Sequence, residues 1–156
     1  MTTSEISRIV KLSRHTFDGT PWYGTALCKL LTDVSAEAAA AHPIPGTHSI
    51  WQEVLHAITW RQVAIRLLNG EQVADVSEEQ NWPQGPAPSA AAWRQTLDEL
   101  AQTQVSLEAA AGNLTDERLS EKAPGKPFSF YVLLHGIIQH DAYHAGQIAL
   151  LKKAAA

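Results

Sequence analysis

Apolar residues recur along this chain at intervals of three and four, in stretches separated by clusters of proline and glycine. Thr2-x-x-Glu5 reads as a capping box opening a first helix, with Ile6, Ile9, Val10 and Ser13 at helical spacing. Asp18-Gly19-Thr20-Pro21 interrupts it, and Pro21 at the first helical position starts a continuation to about Val34. Ser35 to His42 adds a short alanine-rich turn that Pro43 stops. After the loop Pro43-Ile44-Pro45-Gly46, Ser49-x-x-Gln52 opens a second helix that runs to a left-handed stop at Asn69-Gly70. Glu71 to Pro88 is polar and proline-rich and reads as a long surface connection. Ser89 caps a third helix ending near Gly112, and Thr115 to Leu119 forms one more short turn. Beyond Pro124-Gly125-Lys126-Pro127, a fourth helix runs from about Ser129 to Lys153. No stretch alternates in the Val/Ile/Thr manner of a strand, and there is no internal repeat. The pattern predicts an all-α fold: one domain over residues 1–156, an antiparallel four-helix bundle with a long crossover connection between helices 2 and 3.

The fourth helix carries the candidate chemistry. His140-Asp141-Ala142-Tyr143-His144 puts two imidazoles at i and i+4, one above the other on one face, where both can reach a single metal ion. Leu133, Ile137, Gln147 and Leu151 share that face, so the pair points inward. His56 lies on a second-helix stripe with Trp60, Val63 and Leu67 and also faces inward; packing of the two helices would bring the three rings together. Buried imidazoles need partners. A metal would supply one, and hydrogen bonds within an ordinary core would supply another. Three histidines with the remaining coordination open to solvent is the pattern of a reactive centre. His135 lies about 180° around the helix from His144 and faces away. His15, His42 and His48 sit near breaks or loops.

Two other metal chemistries fit less well. The string His140-Asp141-x-x-His144 brushes against the zinc-protease motif HExxH. Its acid is one methylene short, and residues 145–156 hold no His, Asp or Glu to serve as a third ligand. Glu53-x-x-His56 and Asp141-x-x-His144 match the spacing of di-iron carboxylate bundles. Those also need an inward Glu from each of the other two helices, and none of Glu5, Glu37, Glu99 and Glu108 sits clearly mid-helix on an apolar stripe. The five tryptophans read as packing residues, with Trp60 placed to wall a pocket beside the metal.

Composition narrows the setting. A net charge of −4 with scattered basic residues excludes a sequence-blind grip on nucleic acid. No apolar run reaches ~18 residues, so no membrane span is expected. The single cysteine, Cys28, cannot form an intrachain disulfide and sits among apolar neighbours as a buried, inert thiol. Met1 to Val10 lacks the apolar core of a signal peptide. A cytoplasmic protein is the expectation.

The stretch from Leu134 to Ile148, LHGIIQHDAYHAGQI, resembles the final helix of the DinB/YfiT-like family of metal-dependent proteins. Ile44 to His56, IPGTHSIWQEVLH, is similar to that family's entry into its second helix, and Phe17 to Gly24, FDGTPWYG, to the break in its first. The resemblance implies a four-helix bundle with a divalent transition metal on His56, His140 and His144: zinc or nickel, with iron and manganese as alternatives. It implies a homodimer. It also implies a metal-dependent transferase or hydrolase-like enzyme acting with a low-molecular-weight thiol on a small-molecule substrate. In that scheme Asp141 orients a ligand or takes a proton. The alternative is a non-catalytic, stress-related protein that binds a metal or small ligand.

Overall fold

The computed structural model describes residues 4–155. Its helices are α1 (Glu5–Phe17), α2 (Leu27–Leu31), α3 (Ala36–Ala40), α4 (Ile50–Leu68), α5 (Glu78–Asn81), α6 (Ala90–Gly112) and α7 (Phe130–Ala155), with a 3-10 turn at Asp116–Ser120. Among the described residues there is no strand, only an isolated bridge between Lys122 and Ser129.

Local chemistry sets most helix ends. Ser49 accepts from the Gln52 amide at 3.2 Å while the Gln52 side chain accepts from the Ser49 amide at 2.9 Å, the expected capping box of α4. Such a cap contributes about 1 kcal/mol. Gly70, at φ 88°, supplies the left-handed residue just beyond the helix. Thr2 lies outside the described residues. The cap seen on α1 is Ser4, reinforced from across the bundle by Asp116, whose carboxylate accepts from the amides of Glu5 and Ile6. The expected continuation from Pro21 to Val34 is shorter. Gly24 sits at φ 146°, outside helical backbone, so helix resumes only at Leu27.

α1, α4, α6 and α7 form the bundle. The antiparallel pairs are α4 with α7, where Glu53 meets His144 and Arg61 meets Asp141, and α1 with α6, where Asp116 just past α6 meets Ile6 and Glu108 meets Arg14. α4 and α6 run in the same direction: Trp51 donates to Thr96 and Arg61 to Gln104. That is the consequence of the long crossover between them. A 19-residue helix is roughly 28 Å long, and the connection returns the chain over that distance before α6 begins.

The apolar core comes in two blocks. One gathers Leu27, Leu31, Trp51, Val54, Trp93, Leu100 and Ile148; the other gathers Ile9, Leu68, Leu107, Phe130 and Leu134. Along α4, α6 and α7 alike, the two blocks are separated by buried polar residues: Arg61, Gln104 and Asp141. Arg61 and Asp141 are both fully buried. The guanidinium forks onto the carboxylate at 3.1 and 2.5 Å, donates to Gln104 at 2.8 Å and lies 4.5 Å over the Phe17 ring.

Removing one half of this pair strands a buried charge, which typically costs about 3–5 kcal/mol, whereas replacing both halves by apolar groups of similar size is often neutral. Arg61→Met should therefore destabilise the protein by about 3–5 kcal/mol in chemical denaturation, and Asp141→Leu added to it should restore much of that loss. A loss below about 1 kcal/mol in the single variant would show that the pair is not buried as described.

Candidate metal centre

α4 and α7 bring His56, His140 and His144 together at the edge of this polar layer. One ring nitrogen from each lies within 4.8 Å of the others. The Nε2 atom of His140 stands 3.0 Å from that of His56 and 3.1 Å from that of His144. His56 and His144 are buried, and His140 is half-buried.

The opposite nitrogens fix the tautomers. Nδ1 of His56 donates to the carbonyl oxygen of Asn81 at 2.7 Å, so its Nε2 is the free nitrogen. Nδ1 of His144 donates to Oε2 of Glu53 at 2.5 Å, which turns its Nε2 inward as well. Burial holds His56 below its usual range, and burial together with the neighbouring imidazoles takes His140 down to about 3. Both are therefore neutral at pH 7. The Nε2 of His140 can give at most one proton to its two neighbours, and its Nδ1 is buried without a partner.

Three inward nitrogens with too few protons among them suit a shared cation. Tetrahedral zinc with Zn–N about 2.0–2.1 Å places its ligand nitrogens about 3.3 Å apart, close to the separations seen here. The donor set also fits: neutral imidazoles suit zinc, nickel and iron. An acceptor behind two of the three rings is the usual outer support of a metal-ligating histidine, since it fixes the tautomer and raises ligand basicity.

The crossover closes one side. Glu71 to Pro88 was expected to be a surface connection, yet its α5 turn delivers Asn81 and Trp82 to the centre. The Trp82 ring stacks on His56 at 4.0 Å and 16°, with His48 stacked on its far face at 3.5 Å and 8°. His48 is thereby separated from the cluster by an indole. Trp60 donates to the Asn81 side chain at 2.9 Å and stands edge-on to His140 at 6.3 Å.

The sequence marks Glu53 only through its di-iron spacing to His56, and it gives no signal for Arg61. Glu5, Glu99 and Glu108 pair instead with Arg8, Gln62 and Arg14, so the carboxylates of a di-iron bundle do not converge here. Asp141 is fully buried, and both its oxygens are taken by Arg61. Burial pushes its carboxyl upward and the guanidinium opposes that shift. His135 packs against Tyr131 at 4.3 Å, outside the cluster, and His42 bonds to Gln52. Burial pushes the Cys28 thiol up to about 12, as befits an inert side chain.

A family model described as the DinB superfamily matches residues 24–148. No curated protein and no solved structure matches the chain. No described helix is long and apolar enough to cross a membrane.

The cluster predicts a pH dependence for the metal-free protein. His140 titrates near 3 when folded and near its ordinary 6.5 when unfolded, so between those values the unfolded chain holds the extra proton. The contribution of this neutral imidazole is complete above about pH 6.5 and is lost progressively as pH falls toward 3. His140→Gln should make the acid limb of a stability-against-pH profile shallower. An unchanged slope between about pH 6.5 and 4 would contradict this account of its burial.

Proposed function

The chain belongs to the DinB superfamily, and from that premise we propose that it holds a divalent transition metal, zinc or nickel, on His56, His140 and His144 and uses it to activate a small thiol. The observation that carries this reading is the convergence of three Nε2 atoms with the opposite nitrogens of His56 and His144 tied back to Asn81 and Glu53. Among the described residues the cluster offers three ligands, which leaves coordination for an exogenous group and favours a reactive over a closed structural centre.

A divalent ion bound there would supply Lewis acidity, lowering the pKa of a thiol sulfur so that the thiolate is populated near neutrality. The chain's own residues do the rest. Glu53 and Asn81 hold the His144 and His56 rings in orientation. Trp82 lies over His56 and excludes water from that side. Arg61 and Asp141 fix α4 against α7, so Asp141 acts in this scheme as a positioning residue rather than a proton acceptor. The transfer forms a bond from sulfur to the electrophilic carbon and breaks the bond from that carbon to its leaving group. The thiol proton passes to solvent. Cys28, half-buried and inert, takes no part.

The test is thiol-dependent consumption of an aryl halide with cysteine or glutathione as the thiol. Turnover should be abolished when His140 and His144 are both replaced by Ala. Turnover that survives the double replacement would sink the mechanism.

A further inference from the structure

A cavity of about 230 Å³ opens beside His140, walled by Trp60, Phe128, Val132, Leu133 and Ile137. Among the described residues, His140 is the one titratable side chain that lines it. The indole N–H of Trp60 is already committed to Asn81, so the walls offer an ionised group nothing. The cavity meets the histidine cluster at its half-buried ring, whereas His56 lies under Trp82 and His144 is only 3% exposed.

Gly136 also lines this space, inside α7. Its backbone is not in the left-handed region, and a Cβ built there meets no atom within 4 Å. Neither backbone conformation nor close packing therefore calls for glycine, although glycine weakens a helix interior relative to alanine. A side chain at 136 would project into open space at the cavity, and glycine leaves that space clear.

Resting on the thiol-transfer reading, we infer that this cavity receives the apolar body of the electrophile, an uncharged aromatic or branched alkyl group whose reactive atom stands at the His140 end. An apolar cavity of about 150 Å³ accommodates benzene, and drug-sized pockets run from about 300 Å³. The volume here suits one substituted ring or its aliphatic equivalent. Specificity at such a wall comes from size and the absence of charge.

The test uses fluorobenzene, which carries no metal-binding group, titrated into methyl-labelled full-length protein with and without zinc. Saturable shifts confined to the methyls of Val132, Leu133 and Ile137 are expected in both forms. Gly136→Leu, which replaces glycine by a better helix former, should weaken fluorobenzene binding at least about tenfold while zinc content stays unchanged. Val132→Glu, which puts a charge at the exposed rim, should weaken it similarly and serves if the first variant folds poorly. No saturable shift, or binding unchanged in both variants, overturns the inference. So does a shift of the same methyls with protein concentration alone, which would mean that a second copy of the chain covers the cavity. Because the probe is read without metal, a protein that bound fluorobenzene but no zinc would overturn the thiol reading and not the cavity.

Discussion

The Arg61–Asp141 pair sets the terms for the rest of the bundle. Both side chains are completely buried, and two hydrogen bonds lock the guanidinium plane to the carboxylate across α4 and α7. Desolvation offsets most of the attraction in such a pair. What it fixes is therefore position: a slip of α4 along α7 by one residue would leave two charges unpaired in an apolar core. Gln104 receives a further guanidinium bond and passes on to Ser13 and Glu108, with Glu108 bonded in turn to Arg14 at the surface. One buried polar layer thus ties α4 and α7 to α6 and α1.

The histidine cluster inherits its geometry from that register. His140 precedes Asp141 in the chain, and His56 lies five residues before Arg61, so the fork that aligns the helices also sets the imidazoles facing one another. Glu53 and Asn81 then choose which nitrogen each ring presents. Trp82 shuts one side, and the glycine at 136 leaves the other clear. The cluster is held by two long helices and covered by a short turn, with the rigid parts carrying the imidazoles.

What the sequence revealed divides along a physical line. Helix positions, the Ser49–Gln52 capping box and the inward stripe bearing His140 and His144 are properties of single segments, and periodicity exposes them. Pairing Glu53 with His144 or Arg61 with Asp141 depends on contacts 91 and 80 residues apart, set by how two helices meet, which neither helix encodes alone. Asp141 was therefore visible as a residue beside the paired histidines but not as the partner of Arg61. The crossover misled for a different reason. Its polarity and prolines argue for solvent, yet Ser77-Glu78-Glu79-Gln80 is a capping-box signature that marks a helical turn just before Trp82, and that turn lays the indole on His56.

The central claim is that three imidazoles share one divalent ion, and metal content tests it most directly. The measurement is elemental analysis of untagged protein and its His56→Ala variant, each after exposure to zinc, nickel, manganese and iron and removal of excess ion. Near-stoichiometric zinc or nickel in the parent and its loss in the variant is the predicted result. Parent protein that retains none of these metals would contradict the account and leave three histidines held by Asn81, Glu53 and one another.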